Sequence, residues 1–228
     1  MGPRTRVGIS LLTYTRFHRL VRCAPFLRSR AHTGAHEDVS RGRCGVRPSE
    51  HDGRNTVNES ALLTDAFNRI KEIIHETLQD LPESALTYRP DPEANSIAWL
   101  IWHLTRVQDD HVADVAGTEQ VWTGDGWEAR FALPFDTGAI GYGQTSDEVG
   151  QVAASSQDLL GYHDAVHAST LSYLQTIGSD DLDRIVDDHW DPPVTLAVRL
   201  ISVISDDLQH AGQAAYIAGL FDRASTTS

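Results

Sequence analysis

The sequence predicts an all-α protein, a four-helix bundle with one long crossover between its second and third helices. Three observations point there. Apolar residues recur at helical spacing through four segments that follow residue 58. No strand-like alternation of apolar and polar residues interrupts them. A stretch without periodicity, residues 117–145, holds six glycines and separates the second segment from the third.

The first helix is expected over about residues 59–81, where Leu63, Ala66, Phe67, Ile70, Ile73, Ile74, Leu78 and Leu81 form one face. Pro82 and the run Tyr88-Arg89-Pro90-Asp91-Pro92 end it. Ser96 then precedes a second helix over about 96–116, with Ile97, Leu100, Ile101, Leu104, Val107 and Val115 as its stripe and Gly117 as its stop. Trp99, Trp102 and Arg106 lie opposite that stripe, so they meet either the crossover or a second subunit, as in a homodimer. The crossover itself carries Trp122, Trp127, Phe131 and Pro134 and is expected to pack over one end of the domain. A third helix is read over about 146–177, and Asp191-Pro192-Pro193 introduces the fourth.

The fourth helix holds the most informative pattern. Residues 195–219 are apolar over most of their surface. Yet Thr195, Arg199, Ser202, Asp206, His210 and Gln213 fall within roughly 40° of one line at about 100° per residue. A helix apolar nearly all round is buried, and buried polar groups need partners. An acid, a histidine and an arginine in one row therefore imply a lined site. Asp206 and His210 are one turn apart on the same face and can bind one metal from a single helix. Spacing alone leaves a buried Asp–His hydrogen bond as an equal alternative.

Other histidines offer rival arrangements. His103, on the flank of the second helix, is a candidate third ligand from a neighbouring helix, and two histidines with one carboxylate suit a catalytic metal. His163 and His167, also four apart, sit near the inward face of the third helix and are read as polar packing or as support for the site. Glu72-Ile73-Ile74-His75 matches the Glu-x-x-His string of di-iron bundles. Both side chains project away from the apolar face centred on Ile70, so that reading is set aside.

Charge is divided unevenly. Residues 1–57 hold eleven of the nineteen basic residues and four of the thirty-two acids, net +7. The remainder holds eight basic and twenty-eight acidic residues, net −20. So acidic a body repels phosphate backbones, which excludes nucleic acid as a partner. No apolar run is long enough to span a membrane. Residues 1–57 show no sustained period and are read as a disordered basic leader or the product of an upstream start codon. Their Arg-rich, acid-poor beginning leaves a transit peptide as the alternative. Both cysteines, Cys23 and Cys44, lie in that leader, so residues 58–228 contain no thiol nucleophile. The expectation is a cytoplasmic protein acting on a small molecule.

The stretches SIAWLIWHLTRVQDDHVADV and SDDLQHAGQAAYIAGLF resemble the two metal-bearing helices of the DinB-like superfamily. The histidine-x-Gly-Gln motif of that family's last helix stands here as His210-Ala211-Gly212-Gln213. Where many members have a histidine four residues earlier, this chain has Asp206. In that respect it is similar to the mycothiol-dependent maleylpyruvate isomerase and mycothiol S-transferase branch. The resemblance covers residues 58–221 and implies His103, Asp206 and His210 as metal ligands. It favours His103 over His111, which is then a core histidine. It further implies a divalent metal, zinc before nickel or iron, and a low-molecular-weight thiol such as mycothiol in a transferase or isomerase reaction. Metal-assisted hydrolysis on the same ligands and a non-enzymatic metal-binding bundle are the rival readings. Arg199, about 10 Å from Asp206 along the helix, is the candidate anchor for an acidic substrate or cofactor, or else the partner of a nearby acid.

Overall fold

A computed structural model describes residues 58–226, so the reading of residues 1–57 lies outside the described residues. Four long helices form the body: α1 (Glu59–Leu78), α3 (Ile97–Ala116), α7 (Ser156–Leu174) and α8 (Leu196–Thr226). Between α1 and α3 lies the single turn α2 (Glu83–Leu86), and the crossover carries three more, α4 (Val121–Gly124), α5 (Trp127–Phe131) and α6 (Ser146–Val149). Helices α1 and α3 each pack on both α7 and α8, so α1 stands diagonal to α3 in a four-helix bundle. The bundle is the expected architecture. Among the described residues no helix is long and apolar enough to cross a membrane.

Local chemistry sets the helix ends. The side chain of Asn58 accepts from Ala61 N–H to start α1, and Ser96 accepts from Trp99 N–H to start α3. Gly117, at φ 68°, closes α3 in the left-handed conformation that glycine adopts without strain.

Three boundaries differ from expectation. The third helix is not continuous over 146–177. Thr145 and Glu148 build a capping box around the separate turn α6, and Ser155 caps a new helix at Ser156. Two cap signals ten residues apart thus cut what periodicity alone joined; Val149 and Val152 are still buried. The fourth helix passes Gly219 and runs to Thr226, with Phe221 packing edge-on against Tyr88 at 5.4 Å. A short antiparallel hairpin, β1 (Ile185–Asp187) with β2 (Val194–Thr195), precedes α8 where no strand was expected. Its strands are too short to show alternation. It has a clear use: Arg184 and Leu182 carbonyls accept from Leu196 and Ala197 N–H, satisfying donors that the first turn of α8 leaves open.

The crossover, not a second subunit, covers the far side of α3. Trp102 packs on Phe135 with ring centres 5.9 Å apart, and Trp99 Nε1 donates to Gln144 Oε1 at 2.6 Å. Arg106 is fully buried and donates to the Ala139 and Thr137 carbonyls, Gln120 Oε1 and the Tyr162 hydroxyl. Asp109, one turn on, accepts from the N–H groups of Val121 and Trp122 at the start of α4 and from Tyr162 Oη–H. Burial pushes its carboxyl above the ordinary range against those donors and the nearby Arg106 charge. This buried network ties the crossover to the bundle and fixes the loop that reaches the site.

Candidate metal centre

His103 sits in the middle of α3 with 2% of its surface exposed. Its ring stacks on Trp99, centres 4.6 Å apart and planes inclined by 22°. Nδ1–H donates to the carbonyl of Ile140 in the crossover. That approach requires the next residue to be glycine. Gly141 has φ +99°, and a Cβ built there would lie 2.5 Å from His103 Nδ1. Tyr142 then turns its ring edge toward His103 at 5.0 Å.

Asp206 and His210 reach the same point from α8. His210 Nδ1–H donates to Gln213 Oε1, three residues on, at 2.8 Å. Both imidazoles therefore have Nδ1 engaged and present Nε2, the arrangement in which an outer hydrogen bond fixes tautomer and ring orientation for a metal ligand. His103 Nε2 lies 4.0 Å from Asp206 Oδ2, and His210 Nε2 lies 3.7 Å from Asp206 Oδ1. Burial, then the His210 charge, lowers the His103 pKa to about 4, so this imidazole is neutral at pH 7 and cannot serve as a cation for Asp206. Asp206 Oδ2 is buried without a hydrogen-bond partner, and burial pushes that carboxyl up.

Three ligand atoms, all within 4.8 Å of one another, thus confront each other as acceptors. Left so, they cost free energy. A divalent cation would convert all three into ligands, and the donor set of two imidazoles and one carboxylate fits that role. Gly141→Ala is expected to weaken metal binding by roughly 10–100-fold, the usual cost of disturbing a ligand's supporting hydrogen bond. Titration calorimetry with zinc would show it; unchanged affinity would mean that Ile140 does not orient His103.

The neighbouring residues are polar. Asp207 is fully buried, its two oxygens without partners, and burial followed by the Asp206 charge holds its carboxyl well above the usual range. The Tyr142 phenol is pushed up by burial and then by Asp206, so it remains a neutral hydrogen-bond donor. Arg199 Nη2 donates to Asp187 Oδ2 at 3.2 Å and Nη1 to His111 Nδ1 at 2.9 Å. The hairpin thus supplies a partner acid for Arg199, while burial and that guanidinium lower the His111 pKa to about 4.

Other sequence candidates lie elsewhere. His167 Nε2 faces Asn68 Oδ1 of α1 at 2.9 Å, and His163 is buried with neither nitrogen bonded. His75 pairs with Asp164 at 2.8 Å, and Glu72 is exposed, so neither belongs to a di-iron site. Asp187, Asp188 and His189 form a second close group, but it is mostly exposed and Asp187 is engaged by Arg199 and His189. Sequence reasoning missed Ile140, Gly141, Tyr142 and Asp207. The only local signal was Gly141-Tyr142-Gly143, two glycines that both adopt positive φ.

Residues 66–214 match the family model of the DinB superfamily. The chain belongs to the DinB superfamily. The matched span contains His103, Asp206 and His210. A similar solved structure is that of a conserved protein from Enterococcus faecalis, 32% identical, covering 72% of this chain and 96% of that one with a TM-score of 0.68. Among curated proteins nothing matches. This DinB-superfamily chain therefore shares its bundle with a protein described only as conserved, and fold alone does not fix function.

Proposed function

We propose that this DinB-superfamily protein is a divalent-metal-dependent enzyme that activates a low-molecular-weight thiol, of the mycothiol type, for a transferase or isomerase reaction. The observation that carries the metal reading is the trio of facing acceptors, His103 Nε2, Asp206 and His210 Nε2, with both Nδ1 atoms already tied. Zinc is the expected ion, with nickel or iron next, because two imidazoles and a carboxylate discriminate weakly among them. When bound, such an ion lowers a thiol's pKa and holds it as thiolate, the nucleophilic form.

The thiol reading is supported by composition and by the acid at position 206. Residues 58–228 contain no cysteine, so a thiol nucleophile has to come from a ligand. The acid at Asp206, in place of the histidine that the resembled family pattern often has, is similar to that of the mycothiol-using branch. The chain's own groups then have separate tasks. The imidazoles of His103 and His210 offer Nε2 lone pairs, and Asp206 offers negative charge. Trp99 and Tyr142 wall the histidine from water, and the protonated Tyr142 phenol donates to an anionic part of the substrate. Arg199, bonded to Asp187 and His111, serves acidic substrates as a fixed positive field and not as a free clamp.

Calorimetry on metal-loaded and metal-stripped protein separates these statements. Mycothiol, or a simpler thiol, is expected to bind at or below millimolar concentration only to the loaded form. Absence of metal-dependent thiol binding, or ester hydrolysis that proceeds without thiol, would overturn the thiol assignment and leave the metal centre standing.

A further inference from the structure

Arg199 stands two turns from the metal ligands on α8, and a carboxylate of this same chain already occupies it. The two partners of its guanidinium differ in kind. His111, on Nη1 at 2.9 Å, is a neutral ring held inside the bundle on α3. Asp187, on Nη2 through one hydrogen bond at 3.2 Å, belongs to the hairpin, whose strands of three and two residues pair with a register irregularity at that residue. Its other oxygen, Oδ1, accepts from the His189 backbone N–H at 3.1 Å and lies 3.0 Å from His189 Nδ1. Asp187 therefore keeps partners and water contact when it leaves Arg199. The guanidinium, with 11% of its side chain exposed, needs a carboxylate beside it at all times.

The same two helices hold both this pair and the metal centre. Asp206 lies seven residues beyond Arg199 on α8, and His111 eight residues beyond His103 on α3, so the two ends are roughly 10 Å apart. Tyr142 lies between them: its phenol feels the charges of Asp206, Asp207 and Asp110 and that of Arg199. Tyr142 is exposed at the surface, and Asp206, Asp110 and Asp187 are each half-buried, so this strip is reached from solvent along its length.

We infer that Asp187 is a placeholder for a carboxylate of the substrate. A ligand held at the metal by a donor atom and carrying a carboxylate roughly 10 Å away takes over the Asp187 contact, while His111 keeps the guanidinium in place. The substrate class is then a long thiol acid, or a thiol adduct with an acidic group at that distance. Short acids reach one end only, and the hairpin competes with them for Arg199. The choice of a thiol as the metal-bound donor rests on the function proposed above; the exchange at Arg199 does not.

Calorimetry on the zinc-loaded full chain compares 8-mercaptooctanoate, whose extended chain spans the two ends, with its neutral match 8-mercaptooctanol. The acid is expected to bind roughly tenfold more tightly. Arg199→Gln should erase that ratio, and Asp187→Asn should raise it about two- to fivefold, since a competing ion pair of this exposure is weak. Shortening the probes to 3-mercaptopropionate and 3-mercaptopropanol should abolish the preference for the acid. Asp187 lies on a surface hairpin, so Asp187→Asn decides the matter even where Arg199→Gln loosens the bundle. An unchanged or smaller preference in Asp187→Asn overturns the inference and leaves Asp187 a structural partner. Suberate against octanoate repeats the comparison without a thiol. If no thiol binds while suberate still binds more tightly than octanoate and gains from Asp187→Asn, the thiol reading fails and the placeholder stands. If neither long acid binds more tightly than its control, the placeholder falls, whatever thiols do at the metal.

Discussion

Arg106→Met should destabilise the folded body by about 3–5 kcal/mol, the usual cost of removing one partner of a buried ion pair. For a body of this size that corresponds to a fall in melting temperature of roughly 10 °C or more. Methionine fills much of the same volume, so the loss is electrostatic. It strands the Thr137 and Ala139 carbonyls and Gln120 Oε1, and it leaves Asp109 without the cation 3.6 Å away. The guanidinium also lies over the Trp122 ring at 4.9 Å, so tryptophan fluorescence should change with it. Because the network anchors the crossover that carries Ile140 and Gly141, metal affinity should fall as well. Differential scanning calorimetry with parallel metal titration checks both. A melting temperature within a degree or two of wild type would show that the crossover is held by its apolar contacts alone.

His210→Ala should abolish stoichiometric metal binding while leaving the helical content nearly intact. The imidazole is only partly buried, with 18% of its side chain exposed, and it hydrogen-bonds to Gln213 in its own helix, so little packing depends on it. What it loses is one of three ligands from a site with no spare donor: the described residues hold no fourth His, Cys, Asp or Glu ligand atom within the same cluster. Elemental analysis of the purified variant and its far-ultraviolet circular dichroism measure the two effects separately. Full metal content in the variant would place the ion elsewhere.

The fold was largely legible because four long helices bury stripes whose period is unmistakable. What stayed hidden has physical causes. The break at residues 150–155 lies between two apolar stretches in helical register, and only the caps at Thr145 and Ser155 reveal it. The hairpin strands, of three and two residues, are shorter than any periodic window. Helix α3 read as one-sided, yet Trp99, Trp102 and Arg106 are all buried because the crossover supplies a second wall that periodicity does not report. At the site, Asp206 and His210 were visible from helical spacing, and His103 stood as a candidate third ligand on the flank of the second helix, which the family resemblance then favoured over His111. Ile140 was invisible in principle, since it contributes a backbone carbonyl. Gln213 was noted as part of the polar row, but its task of fixing His210 appears only with the side-chain geometry.

The measurement that bears most directly on the metal centre is titration of chelator-treated wild-type protein with zinc, followed by calorimetry and elemental analysis of the dialysed product. One ion per chain is expected, retained through dialysis and lost in each of His103→Ala, Asp206→Ala and His210→Ala. Zinc that fails to bind stoichiometrically to the wild type, or that stays bound when all three residues are replaced, would contradict that expectation.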